Sequence, residues 1–194
     1  MSNYWIRTAS GKKFDYSLGV DNDVDFFDIA EHLSKMPRFA GACRPSLSVA
    51  QHSVNVSVLM ERDGGGPIHA LYGLFHDAHE AYIGDMPTPL TDYMFALLGT
   101  DVKERIVDGI DAAVYRKLDL EYPIPDKIAD KLHFFDKAAF AAEGKALVKG
   151  FQIPDGCPTA DMGSISPVGQ EQAYRMFTER FTRLNTARQR WKAA

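Results

Sequence analysis

Apolar residues recur every three or four positions along most of the chain, as they do on the buried face of an α-helix. Asp25 is a suitable N-cap for a helix that buries Ile29 and Leu33. Pro37 ends that helix, because the residue before a proline is pushed out of helical geometry. The same spacing predicts further helices from Ser46 or Ser48 to a stop at Asp63–Gly66, from Pro67 to about Gly84, over about 91–98, over about 102–118, from about Asp126 to Val148, and over about 167–191.

The N-terminus departs from this pattern. Tyr4–Thr8 and Lys13–Tyr16 are rich in residues that favour strands and flank a turn at Ser10-Gly11, so they predict a small hairpin. Two strands are only marginally stable alone and must rest on other elements. We therefore expect an all-α fold, a compact helical bundle forming one domain over residues 1–194, with a hairpin appendage in 1–20, core helices in 25–150 and a C-terminal helix in 167–191.

Composition and charge narrow the class of protein. The chain has 194 residues, of which 45% are hydrophobic and 25% charged, and a net charge of −4, which argues against a broadly basic surface for polymeric nucleic acid or for membranes. Cys43 and Cys157 are far apart and in no metal-binding spacing, as is typical of a reducing compartment. Met1–Ile6 does not resemble a signal peptide, and no apolar run approaches the roughly 18 residues of a membrane span. We expect a cytoplasmic protein.

Ionisable side chains are concentrated in His76–Asp85, within an apolar helical run. His76 and Asp77 are neighbours, about 100° apart around a helix, so both can face one cavity. Imidazole and carboxylate together suit a divalent transition metal such as Zn, Mn, Co, Ni or Fe. Two ligands hold a metal poorly, and the chain offers two more in His52, which lies among valines, and Asp136, a carboxylate in an apolar helical segment.

Three further residues can act on a substrate near such a metal. Glu80 follows Asp77 by three positions, so it lies one turn further along the same helix face, where a general acid or base is needed. Asp85 precedes a loop stiffened by Pro87 and Pro89. Arg38 precedes the His52 helix, and a guanidinium is well suited to bind phosphate.

This set of residues resembles the HD-domain superfamily of metal-dependent phosphohydrolases. The resemblance is to its 5′-deoxyribonucleotidase (YfbR-like) branch, which includes phage-type deoxynucleoside triphosphate triphosphohydrolases. It covers roughly residues 25–150 and rests on Arg38-Phe39, on Ser48–Ser53 and on the segment from His76 to Pro89.

The resemblance implies roles for individual residues. It implies that one catalytic metal is bound by four of them, and that Glu80 and Asp85 act on the attacking water or the leaving group. Arg38 would hold phosphate, and Phe39 would lie near the sugar and disfavour a ribose 2′-hydroxyl. It also implies a homo-oligomer, a dimer or larger. The four implied metal ligands are His52, His76, Asp77 and Asp136.

Two histidines have no role in this pattern. No histidine lies between His79 and His133, which argues against the two-metal version of the HD site and against a cyclic-dinucleotide phosphodiesterase. The roles of His79 and His133 themselves stay open.

The expected function is a divalent-metal-dependent phosphohydrolase acting on deoxynucleotides. It would release phosphate from monophosphates or intact triphosphate from triphosphates, and the chain does not distinguish the two. One alternative is a metal-stabilised nucleotide sensor without turnover, against which the presence of both Glu80 and Asp85 argues. Another is a (p)ppGpp hydrolase on the same fold.

Overall fold

Local sequence signals define most of the helix ends in the computed structural model, which describes residues 3–192. Asp25 accepts hydrogen bonds from the backbone N–H groups of Phe27 and Asp28, and Ser48 accepts one from Gln51. The predicted all-α fold is confirmed. Its elements are β1 (Trp5–Arg7), β2 (Lys13–Asp15), α1 (Phe26–Lys35), α2 (Val49–Met60), α3 (Gly66–Phe75), α4 (Glu80–Ile83), α5 (Thr88–Leu98), α6 (Val102–Leu118), α7 (Asp126–Leu147) and α8 (Gln170–Lys192), with short 3₁₀ segments at Tyr16–Asp21 and Phe39–Gly41 and a π-turn at Glu61–Gly65.

Helices α2 and α3 form the centre of the bundle, and α1, α7 and α8 pack around them. Gly73 of α3 lies so close to α2 that a Cβ there would be 3.0 Å from the Cα of Ser57 and 3.0 Å from Cγ of Met60. On the α8 side, the buried ring of Phe177 meets Phe75 edge to face at 5.3 Å. The close crossing at Gly73 brings the C-terminal half of α2 beside the C-terminal half of α3.

The antiparallel hairpin rests on the helices. Ile6 is paired with Phe14, whose buried ring stacks on Tyr82 of α4 with centroids 3.9 Å apart. The backbone N–H of Ala9 donates to Nε2 of His32 at 3.0 Å, and the other ring nitrogen of His32 is 2.8 Å from the carbonyl of Ala81. The predicted hairpin thus connects α1 to the segment that carries the candidate chemistry.

The structure corrects two predicted boundaries. The third helix was expected to reach Gly84, but α3 ends at Phe75 and the chain makes i→i+3 turns before α4, for example from Glu80 N–H to the Asp77 carbonyl at 3.0 Å. Tightening to i→i+3 bonds is common at a helix C-terminus. Helix α5 begins at Thr88 rather than about 91, since a proline is well tolerated in a first helical turn. Among the described residues, no helix combines the length and the apolar character that crossing a bilayer requires.

Candidate metal centre

His52 lies in the first turn of α2 and is fully buried. Its Nδ1 is 2.9 Å from Oε2 of Glu143, and its Nε2 is 3.0 Å from Oδ1 of Asp136, both on α7. A neutral imidazole carries one proton and can donate to only one of two carboxylates. If Nδ1–H donates to Glu143, the lone pair of Nε2 faces another acceptor, and a cation between Nε2 and Asp136 removes this conflict.

His76 presents its ring to the same point from the turn after α3. Its Nδ1 is 2.9 Å from the carbonyl of Gly73, which can only accept, so Nδ1 carries the proton and Nε2 is free. This Nε2 is 3.1 Å from Oδ2 of Asp77 and 3.6 Å from Oδ1 of Asp136. Oδ2 of Asp77 is also 3.6 Å from Nε2 of His52. The four residues predicted as ligands therefore converge.

The separations between these atoms suit a metal ion. Metal–ligand bonds of about 2.1 Å place neighbouring ligand atoms roughly 3.0 to 3.4 Å apart in octahedral or tetrahedral geometry. Nε2 of His76 and Oδ2 of Asp77 are buried and attract each other at 3.1 Å, but neither makes a contact of hydrogen-bond geometry with a described residue, so both are available to a metal ion. His52, His76 and Asp136 offer ligand atoms within 4.8 Å of one another and could hold a metal ion, and Oδ2 of Asp77 lies 3.1 Å from Nε2 of His76 beside them.

The pKa values in the metal-free protein reflect the same convergence of opposite charges. Burial opposes protonation of His76, but Asp77 and Asp136 outweigh it and raise the pKa of this imidazole well above its usual value. Burial likewise opposes ionisation of the two carboxyls, but the neighbouring histidines lower the pKa of both. Without a metal, protons on the imidazoles offset the carboxylate charges.

One supporting residue of this centre, Glu143, was missed by the sequence analysis. Glu143 is fully buried and lies seven residues after Asp136, two turns along the same side of α7. Its Oε2 accepts from His52, and its Oε1 accepts from the amide of Asn55 at 3.1 Å. A carboxylate behind a ligating histidine fixes the tautomer and the ring orientation. The seven-residue spacing from Asp136 is the signal that could have identified Glu143.

The candidate metal centre opens into a cavity of about 790 Å³. All of the residues predicted for substrate binding or proton transfer lie on its wall, together with two of the predicted ligands. These wall residues are Arg38, Phe39, Asp77, Glu80, Asp85 and Asp136.

Arg38 is buried beside the cavity, with 8% of its surface exposed. Its NH1 is 3.6 Å from Oδ2 of Asp77 and its Nε is 3.8 Å from Oε2 of Glu143, distances too long for hydrogen bonds. Nε has no hydrogen-bond partner among the described residues. The guanidinium therefore has donors to offer a ligand. Phe39 and Ala40, the next two residues, have φ of 54° and 49°, a left-handed geometry that is unfavourable for residues with a side chain and that turns the chain at the cavity.

Phe39 belongs to an aromatic cluster on the cavity wall. Its ring stacks on Phe140 of α7 with centroids 5.1 Å apart and meets Phe151 edge to face at 5.7 Å. These contacts hold the ring in place, so it offers a rigid apolar surface beside Arg38.

Glu80 and Asp85 present carboxyl groups to the cavity in different surroundings. Glu80 is 7% exposed, and burial together with the charges of Asp77 and Asp85 raises its pKa to about 9. Burial also raises the pKa of Asp85, although Arg38 opposes this shift. Glu80 is thus a carboxyl group that carries a proton at neutral pH in the metal-free protein.

His79 and His133 both line the cavity. His79 is held by a second residue that the sequence analysis missed, Asp111 of α6, whose Oδ1 is 3.1 Å from Nδ1 of the imidazole. Asp111 lies in an apolar helical run, the same signal that identified Asp136. His133 is exposed and belongs to no ligand group in the described part of the chain.

Fold and site together define an all-α protein with a buried His/Asp cluster that can bind a metal ion at the end of a cavity. The chain is 34% identical to the uncharacterized protein YfdR of Escherichia coli (strain K12) over 188 residues, which cover 95% of this chain and 97% of that protein. It belongs to the same family as YfdR. An uncharacterized protein of Rhodobacter capsulatus is 30% identical over 151 residues, which cover 76% of this chain and 74% of that relative. No protein-family model matches the chain.

Proposed function

We propose that this protein is a divalent-metal-dependent phosphohydrolase of the HD-domain superfamily that acts on deoxynucleotides, as a 5′-deoxyribonucleotidase or a triphosphohydrolase. One observation carries the proposal: the atoms of two histidines and two aspartates converge at the end of a cavity that is also lined by Arg38 and by the buried residue Glu80. A purely structural metal site needs neither an open cavity nor these two groups.

The metal would be held by Nε2 of His52 and of His76 and by the carboxylates of Asp77 and Asp136. A bound divalent ion supplies Lewis acidity and lowers the pKa of water at the site. Mixed nitrogen and oxygen ligands suit Zn, Mn, Co, Ni or Fe. Glu143 orients His52 and thereby keeps its Nε2 directed at the ion.

Arg38 would bind the phosphoryl group that is attacked. Its nearest carboxylates are beyond hydrogen-bond distance, so its N–H donors can turn to phosphate oxygens without breaking a short ion pair. The guanidinium fork matches phosphate geometry, and its charge offsets the negative charge that the nucleotide brings into the cavity.

Glu80 would act as the general acid that donates a proton to the leaving group. The leaving group is the nucleoside 5′-oxygen for either substrate, and it needs a proton as the bond to phosphorus breaks. Burial holds a proton on this carboxyl in the metal-free protein, where its pKa is about 9, and a buried carboxyl beside the reacting group is suited to act as a general acid. Asp85 lies on the same wall and would accept a proton from water or position Glu80.

Phe39 would determine which nucleotide sugar, deoxyribose or ribose, can bind in the cavity. Its ring is held by Phe140 and Phe151 and cannot move aside easily, so an added 2′-hydroxyl beside it would lose its water without gaining a hydrogen-bond partner. A preference for deoxynucleotides would then arise from this rigid apolar surface.

A substrate panel tests the proposal. The purified chain with Mn, Co or Zn is incubated with deoxynucleoside mono- and triphosphates, the matching ribonucleotides and (p)ppGpp, and phosphate, triphosphate and pyrophosphate products are separated. Release of phosphate or triphosphate from deoxynucleotides is the expected result. No turnover of any nucleotide with any metal would refute the proposal, and calorimetric nucleotide binding without turnover would favour the sensor.

A further inference from the structure

A second group of ligand atoms lies beside the candidate metal centre and shares one residue with it. Asp77, His79 and Glu80 each offer a ligand atom, and these atoms lie within 4.8 Å of one another. All three residues line the cavity. Asp77 faces the imidazoles of His52 and His76 through Oδ2, and a carboxylate has a second oxygen with which it can bridge two neighbouring cations.

Glu80 is the unpartnered member of this second group. The residue is 7% exposed, and its Oε2 is buried without a hydrogen-bond partner among the described residues. A buried carboxyl oxygen without a partner is costly, and the described part of the chain offers it no ion pair. Glu80 lines the cavity, and a cation bound there would satisfy this oxygen.

His79 is oriented as a metal ligand would be. Its Nδ1 is 3.1 Å from Oδ1 of Asp111, and both side chains are only 13% exposed. With Nδ1–H donated to this carboxylate, Nε2 keeps its lone pair. The pair repeats the arrangement of His52 and Glu143 in the first centre, where a buried carboxylate also holds Nδ1 of the imidazole.

We propose that Asp77, His79 and Glu80 form a second, weaker divalent-cation site, joined to the first centre through the carboxylate of Asp77. It goes beyond the proposed function, which needs one metal. The site is weaker because it has one imidazole instead of two and because the guanidinium of Arg38, 3.6 Å from Oδ2 of Asp77, opposes a second positive charge. Two carboxylates and one imidazole suit Mn²⁺ well.

The test is a titration of the metal-free, full-length chain with MnCl₂, with free and bound Mn²⁺ measured by electron paramagnetic resonance. We expect two Mn²⁺ per chain, one tight and one weak, and the signal of a spin-coupled pair as the weak site fills. His79→Ala should bind one Mn²⁺ with the tight affinity unchanged. Asp111→Asn should keep both sites but weaken the second about 10- to 100-fold.

His133→Ala is the matched control, because His133 lines the same cavity but belongs to neither ligand group, and it should bind two Mn²⁺. The inference is overturned if the parent chain binds a single Mn²⁺ or if His79→Ala still binds two. Should His79→Ala not fold, the affinities of Asp111→Asn decide. If the titration shows only one tight site, the second site is refuted and the proposed function stands. If the chain binds no Mn²⁺ at all, the proposed function is refuted as well.

Discussion

Replacing Glu80 by Gln should stabilise the metal-free protein as the pH rises. The folded protein holds a proton on this carboxyl up to a pKa of about 9, whereas in the unfolded chain the group ionises near 4.5. Above pH 4.5, ionisation of this carboxyl lowers the free energy of the unfolded state but not that of the folded state. The free energy of unfolding of the parent chain therefore falls as the pH rises. Gln resembles a protonated carboxyl in shape and never ionises, so the variant escapes this loss.

The magnitude follows from the interval between the pH and the unfolded pKa. One pKa unit corresponds to about 1.4 kcal/mol, so the variant should be about 3 kcal/mol more stable at pH 7 and equal to the parent near pH 4. Urea unfolding in EDTA at pH 5, 6, 7 and 8 measures the difference, which should grow by about 1.4 kcal/mol per pH unit. The exposed loop residue Glu121, changed to Gln, serves as the control and should behave as the parent does. A difference that stays constant across this pH range would refute the assignment of a buried, protonated Glu80.

The same variant separates stability from catalysis. With metal restored, Glu80→Gln should retain the ion at the first centre but lose about 10²- to 10⁴-fold in turnover, the usual contribution of a general acid or base. Unchanged turnover would remove Glu80 from the mechanism while leaving the stability result intact.

Three further predictions concern the centre and its support. Asp77→Ala should abolish metal binding and activity together, as measured by elemental analysis after dialysis and by product release. Glu143→Gln should lower the affinity for the first metal about 10- to 100-fold in a calorimetric titration, because His52 loses the carboxylate that orients it. Gly73→Ala should destabilise the fold by about 1–3 kcal/mol in urea, since its Cβ would press on α2, whereas Gly169→Ala, with no neighbour within 4 Å of its Cβ, should not.

Periodicity and capping were sufficient to predict the fold class, because a helix is specified by residues that are close in sequence. Asp25 is the N-cap of α1 and Ser48 is the N-cap of α2, where the sequence predicts these helices to start. The error at the third helix has a different origin. Its apolar spacing continues past Phe75, but the chain tightens there, and the Gly73 carbonyl accepts a bond from the ring of His76. A side-chain bond of this kind is invisible in hydrophobic periodicity.

The candidate ligands could be predicted because their residue types are rare in apolar helical runs. Asp136 could be predicted for this reason, and Asp111 lies in a similar apolar run that carries the same signal. The pairing of each histidine with its carboxylate was out of reach, since His52 and Glu143 are 91 residues apart and meet only through the packing of α2 against α7. Residue chemistry thus indicated which groups take part, and tertiary packing decides which partner each one has.

Glu80 belongs both to the proposed mechanism and to the proposed second metal site, and this leads to a last prediction. The carboxyl that would deliver a proton to the leaving group is also a ligand of the proposed weak site, and it cannot do both at once. Mn²⁺ should therefore activate the proposed hydrolysis at low concentration and inhibit it at concentrations that fill the proposed second site. His79→Ala should remove the inhibition without removing the activation, because it weakens only the second site. Steady-state rates over a range of Mn²⁺ concentrations, with His133→Ala as the control, test this, and equal inhibition of all three proteins would show that the inhibitory ion binds elsewhere.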